Sequence, residues 1–176
     1  MISLLAVQAI CGNKNPAIEA IYPFLTAAMD EHQIDTPQRE AMFIAQAAHE
    51  TESFRCLEEL ESGQAYENRA DLGNTQPGDG VKYKGRGVFQ ITGRFNYARC
   101  SQALFGSDTL ILDPAKLAEP ATAADSAGWF WDWRGLAKAA DAGDVLAATK
   151  KINGGTNGLA ERLALYKRAC YALGVQ

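Results

Sequence analysis

Residues 41–48 read Ala-Met-Phe-Ile-Ala-Gln-Ala-Ala, apolar on nearly every side of a helix. Such a helix has no face to offer water, so it must lie at the centre of the molecule with the other elements packed round it. Thr36-Pro37 supplies its start, a capping hydroxyl followed by proline at the first helical position. Its far end delivers His49 and Glu50.

The flanking sequence supplies further helices. Ser3–Cys11 is a short amphipathic stretch stopped by Gly12, and Asn15-Pro16 repeats the start signal. Ile18, Ile21, Tyr22, Leu25 and Met29 then recur at helical spacing, with Pro23 predicting a kink or a break. Beyond residue 93 the pattern gives helices over Asn96–Phe105, Ala121–Trp133, Asp144–Ile152 and Leu159–Leu173, the last closed by Gly174. Between the two groups, Ser62–Gly93 holds seven of the sixteen glycines and no helical pattern. A loop of that length inside a compact domain is usually functional. Its end, Tyr83–Thr92, has the alternation of a short β element. The expected class is mainly α with one small β-hairpin lobe, in a single catalytic domain over residues 1–176 with no separate wall-binding domain.

Composition narrows the function. The net charge of −4 argues against nucleic-acid binding. No apolar run approaches a membrane span, so no stable membrane insertion is expected. Met1-Ile2-Ser3-Leu4 lacks the basic start of a signal peptide, which predicts synthesis in a cytoplasm. Cys11, Cys56, Cys100 and Cys170 are scattered and form no CxxC pair, the pattern of reduced thiols and not of a zinc site. Seven acidic residues against two basic fall between Glu50 and Asp71, while Gly80–Ser107 carries five basic residues and no acidic one. The two segments are either solvated faces or opposite walls of a groove.

Most catalytic arrangements can be set aside. His49-Glu50 is half of a zinc-protease motif, but Ser53 stands where the second histidine belongs. No serine lies in a nucleophile elbow, no signature supports a Cys56–His49 pair, and Gly85-x-Gly87 lacks the rest of a dinucleotide loop. No metal and no cofactor is expected. Carboxylate chemistry remains. Glu50 closes an apolar helix, where partial burial is expected to keep it protonated as a general acid. On one unbroken helix Glu50 and Glu59 would point to opposite faces, roughly 13 Å apart along the axis. Inverting glycosidases hold their carboxyls about 6.5–9.5 Å apart. If both work, the helix must end between them, near Phe54–Leu57, and the chain must turn back.

Three motifs resemble glycoside hydrolase family 19, which includes plant-type chitinases and bacteriophage endolysins. They are His49-Glu50-Thr51 with Glu59 downstream, the block Tyr83-Lys84-Gly85-Arg86-Gly87-Val88-Phe89-Gln90-Ile91-Thr92-Gly93 running to Asn96-Tyr97, and Ile152-Asn153-Gly154-Gly155. The resemblance covers Ala41 to the C-terminus, and its central block is the version typical of phage and prophage lysozymes. It implies a lysozyme-like α+β fold with a substrate groove, Glu50 as general acid, Glu59 as general base and Thr92 helping to hold the water. It further implies that Gln90, Asn96 and Asn153 line sugar subsites and that Tyr83 and Tyr97 stack on sugar rings. The implied activity is hydrolysis of β-1,4 bonds in the peptidoglycan glycan strand by a monomer that lyses its host. An enzyme made in the host cytoplasm would reach the periplasm through a holin-type export system. Hydrolysis of chitin is the alternative, as is an inactive sugar-binding module. Two points depart from the family pattern: Glu52-Ser53 stands where many relatives have glycines, and Glu59 follows Glu50 sooner than in plant chitinases, which makes Glu67 a rival for the base role. For Glu67, an ion pair with Arg69 or Arg86 is the structural alternative, and Arg86 is expected to pair with an acidic residue to hold the lobe together.

Overall fold

The computed structural model describes residues 1–175. Among them the α-helices are α1 (Leu4–Cys11), α2 (Pro16–Glu31), α3 (Pro37–Glu50), α4 (Asp79–Lys82), α5 (Arg94–Phe105), α6 (Thr109–Leu112), α7 (Pro120–Trp133), α8 (Ala137–Asp141), α9 (Val145–Asn153) and α10 (Leu159–Leu173). The fold is the mainly α, lysozyme-like one that the sequence implies.

The helix starts follow from their capping residues. The side chains of Ser3, Asn15, Thr36 and Asp144 each accept the backbone N–H three residues on, satisfying donors that a helix start leaves free. Pro23 does not break α2, which runs on to Glu31. Pro23 and Glu19 are both exposed, so the carbonyl that loses its helical donor faces solvent and can be hydrated.

Helix α3 is central. Its residues 41–48 are all buried, with no side chain more than 2% exposed. It packs chiefly against α10, while α2 lies along α7. Gly128 permits the second contact, since a Cβ there would come within 2.1 Å of the His32 ring. Phe43 of α3 meets Phe89 and Trp131 edge-on, each at a centroid distance of 5.8 Å, and so joins the lobe to α7 through one core.

The lobe between α3 and α5 is held differently. No ladder of strands forms among the described residues, and the β character of Tyr83–Thr92 is confined to two isolated bridges, Glu58 with Arg86 and Arg86 with Ile91. Arg86 and Ile91 exchange both backbone hydrogen bonds across a tight reversal in which Gly87 and Gln90 have positive φ. That geometry ends the pairing after one step on each side. The rest of the loop is ordered by polar side chains bound to backbone groups. Asn74 donates to the Tyr66 carbonyl and accepts from Arg94 N–H. Asp79 accepts from Thr75 and Gln76 N–H and pairs with Arg94. The acidic and basic segments pair within the lobe through Glu58, which meets both Lys84 and Arg86.

Candidate active site

Helix α3 ends at Glu50 itself, earlier than the expected break at Phe54–Leu57. The Thr51 hydroxyl donates to the Ala47 carbonyl at 2.6 Å and accepts Phe54 N–H at 2.8 Å. Glu52, Ser53 and Phe54 then adopt φ of 50°, 62° and 68° in succession. Three left-handed residues without a glycine are unfavourable by about 1 kcal/mol or more each. The buried Phe54 side chain and the Ser53 N–H bond to the Ala48 carbonyl, at 2.7 Å, hold the reversal in place. The chain then returns along the lobe, where Glu59 N–H donates to the Gly85 carbonyl at 3.0 Å. Lys84 reinforces that segment, its ammonium donating to the Glu59 carbonyl at 3.0 Å and pairing with Glu58 at 3.1 Å.

This reversal brings Glu50 and Glu59 into one groove, with Gln90 on its floor. Gln90 also borders the adjoining hollow, lined by Thr92, Asn96, Trp133, Arg134 and Ile152. The two hollows meet at Gln90, which borders both.

The surroundings of Glu50 differ from the apolar pocket expected. Arg162 of α10, 2% exposed, donates to a carboxyl oxygen of Glu50 through one terminal nitrogen and to Gln46 Oε1 through the other. A buried guanidinium, and not apolar burial, dominates that side of the groove. Nothing in the motif reading pointed to Arg162, yet the sequence carried a signal. It lies three residues after Leu159 and three before Leu165, an arginine on the buried stripe of a helix, and such a charge requires a buried partner.

Glu59 is set in a different environment. Its Oε2 accepts the Tyr66 hydroxyl at 3.0 Å, and its Oε1 is buried with no hydrogen-bond partner among the described residues. Burial first, and then the bond to Glu59, push the Tyr66 phenol above its ordinary value, so it remains a donor through neutral pH. Gly85 is the pivot of this cluster. A Cβ there would meet Gln90 Oε1 and Glu59 Oε2 at 2.8 Å and Thr92 Oγ1 at 3.3 Å, so these three oxygens surround one point. Tyr66 and Gly85, like Arg162, were not singled out from the sequence.

The other expected residues divide. Thr92 donates to the Gln90 carbonyl and Asn96 to the Thr92 carbonyl, which leaves both on the groove wall. Tyr83 and Tyr97 cannot stack on sugar, because both are fully buried. Tyr97 receives Arg86 at 3.0 Å and donates to the Lys84 carbonyl at 2.6 Å, while Tyr83 packs against it at 5.3 Å. Burial raises the Tyr97 phenol far above its usual range, making it a neutral structural hydroxyl. Asn153 is exposed and borders neither of these two hollows. Its amide closes the turn after α9, donating to Asn157 and accepting from Gly155. Only its neighbour Ile152 reaches the wall. Arg86 pairs with Glu58 at 3.0 Å, the structural role expected of it. Glu67 pairs with neither Arg69 nor Arg86; its two oxygens accept Gly78 and Gly80 N–H at 2.7 and 2.8 Å. Among the described residues no cluster of three or more His, Cys, Asp or Glu could hold a metal ion.

Comparison with known proteins identifies the family. The family model for chitinase class I, glycoside hydrolase family 19, matches residues 15–148. A glycosyl hydrolase family 19 domain-containing protein of Haemophilus influenzae is 30% identical, across 86% of this chain and 88% of that protein. Chitinase 12 of rice, Oryza sativa subsp. japonica, is 32% identical over 90% of this chain, which spans 60% of the rice enzyme's length. Among solved structures, chitinase C from Streptomyces griseus superposes with a TM-score of 0.78 at 21% identity, covering 99% of this chain and 77% of that one. A bacterial family 19 chitinase superposes at 0.75 with 25% identity, covering 99% and 96%. The match to the family model over residues 15–148 and the kinship with the Haemophilus protein place the chain in glycoside hydrolase family 19, as a glycosidase.

Proposed function

We propose that the chain hydrolyses the β-1,4 glycosidic bonds of bacterial peptidoglycan by single displacement, as an endolysin-type lysozyme. The observation that carries the mechanism is the convergence of Glu50 and Glu59 on one groove in unlike settings, one beside a guanidinium and one with a free, buried acceptor oxygen. In this reading Glu50 gives its proton to the glycosidic oxygen as the C1–O bond breaks. Arg162 then stabilises the carboxylate that Glu50 becomes. Glu59, oriented by Tyr66, takes a proton from a water whose oxygen attacks C1 from the opposite face, inverting the anomer. Thr92 and Gln90 beside Gly85 are placed to hold that water. Exchange with solvent returns both carboxyls to their starting state. The phage-type signature over Tyr83–Tyr97 favours peptidoglycan. The enzyme would then act on the wall in the periplasm after release through a holin-type partner.

A chitinase acting on GlcNAc polymers is the second reading, favoured by the rice and Streptomyces relatives, which are chitinases by name. Clearing of outer-membrane-permeabilised bacteria, measured beside cleavage of chitin oligomers, separates the two. The expected result is rapid clearing that Glu50→Gln abolishes, with fresh product appearing as the α-anomer by NMR. A folded Glu50→Gln protein of near-normal activity refutes the acid assignment, and a β-anomer refutes single displacement.

A further inference from the structure

The hollow beyond Gln90 carries a charge that hydrolysis does not use. Trp133, the last residue of α7, stacks on Trp129 with centroids 4.9 Å apart and planes 18° from parallel. Two guanidiniums lie against the same indole, Arg99 of α5 at 4.7 Å and Arg134 at 5.4 Å. Arg134 also lies 5.9 Å from Phe130, and its Nε donates to the Lys151 carbonyl at 2.8 Å. Stacking and one hydrogen bond thus fix this guanidinium, while its two terminal nitrogens have no hydrogen-bonding or carboxylate partner among the described residues. Arg99 likewise forms no ion pair among them. The arginines of the lobe contrast with these two, since Arg69, Arg86 and Arg94 each face a carboxylate. No carboxylate lines the hollow that Arg134 borders, whereas four line its neighbour. The groove is anionic where the bond is cut and cationic beyond Gln90.

A neutral GlcNAc polymer gains little from such an end. A fixed guanidinium with its terminal N–H groups free matches a carboxylate in two parallel hydrogen bonds, and holding it in place beforehand lowers the ordering cost of binding. Along a peptidoglycan strand every second sugar is muramyl, bearing a lactyl arm that ends in a carboxylate or continues into an acidic stem peptide. We propose that Arg134, assisted by Arg99, binds the carboxylate carried on the lactyl arm of a muramyl sugar and so selects peptidoglycan over chitin. This rests on the peptidoglycan reading above and adds a specificity determinant to it.

The test measures binding to the Glu50→Gln protein, so that ligands stay intact. Three ligands are titrated: a peptide-free GlcNAc–MurNAc tetrasaccharide, the same tetrasaccharide carrying stem peptides, and chitotetraose. The acidic ligands should bind more tightly than chitotetraose, with an advantage that shrinks as salt rises. Adding Arg134→Gln should cut the ratio of acidic to neutral affinity roughly tenfold, and Arg99→Gln should cut it less. A loss already present with the peptide-free ligand assigns the carboxylate to the lactyl group. A loss confined to the stem-bearing ligand assigns it to the peptide. Arg134→Lys keeps the charge without the planar fork and should retain part of the salt-sensitive preference, so a misfolded Arg134→Gln protein leaves the idea testable. An unchanged ratio, or equal losses on all three ligands, overturns the proposal. Cleavage of chitin oligomers without clearing of cells would instead defeat the peptidoglycan reading, and the binding ratio would still judge Arg134 by itself.

Discussion

Replacing Glu67 by alanine should damage stability and spare chemistry. Both Glu67 oxygens accept backbone N–H groups, from Gly78 at 2.7 Å and Gly80 at 2.8 Å. Hydrogen bonds to a charged acceptor contribute roughly 1.5–3 kcal/mol each. Gly78 is exposed, so its N–H regains water when the carboxylate goes; Gly80 is buried and its N–H is left without a partner. The net loss is therefore close to one such bond, about 2–3 kcal/mol. In a chain of 176 residues, that lowers the melting temperature by roughly 4–12 °C. Glu59→Ala removes a carboxylate whose one bond among the described residues is to the Tyr66 hydroxyl. It should melt within about 3 °C of the parent yet lose about 100-fold or more in turnover, partly restored by azide acting in place of the activated water. Thermal melts paired with initial rates per folded molecule, taken well below the transition, separate the two effects. A well-folded but inactive Glu67→Ala protein beside an active Glu59→Ala protein would show that the base had been assigned to the wrong glutamate.

Gly85→Ala places a methyl group 2.8 Å from Glu59 Oε2 and Gln90 Oε1, so kcat should fall at least tenfold while KM moves less; an unchanged kcat would mean that the cluster has no catalytic part. Tyr66→Phe removes the hydroxyl held 3.0 Å from Glu59 and should lower kcat about tenfold with little change in melting temperature; normal kcat would show that Glu59 needs no orienting partner. Asp79 is held below the usual aspartate range, first by Arg94 and then by the Gln76 and Thr75 amides. Its stabilisation is present above the unfolded value of about 3.9 and is lost as pH falls through the lower folded value. Asp79→Asn should therefore be less stable at neutral pH, and its melting temperature should fall less steeply than the parent's below about pH 4; parallel acid profiles would refute the linkage.

Much of the helical framework was legible because it rests on local chemistry. The caps at Ser3, Asn15 and Thr36 satisfy donors within their own first turn, and the Ala41–Ala48 run can exist only where water is absent. Signals failed where the outcome depended on a face or on a distant partner. Pro23 reads as a break in any helix, and only its exposed position makes it tolerable. Tyr83 and Tyr97 stand in the same motif as Gln90 and Thr92, yet both are buried, and Tyr97 is tied inward to Arg86. The β pattern of Tyr83–Thr92 is real at Arg86 and Ile91 and ends there, because Gly87 and Gln90 reverse the chain at once.

By itself the sequence determined the central helix that carries Glu50, the long glycine-rich segment after it, and the family signature that marks both. Those features depend on neighbours a few residues apart. Tertiary structure alone decided which groups face the two carboxylates. Arg162 lies 112 residues from Glu50 and reaches it only because α10 packs on α3. Tyr66 and Gly85 meet Glu59 only once three left-handed residues reverse the chain. Arg99 and Arg134 share one indole only when α5 lies beside α7. An electrostatic environment is a sum over neighbours in space, and the spacing of residues along a chain does not contain that sum.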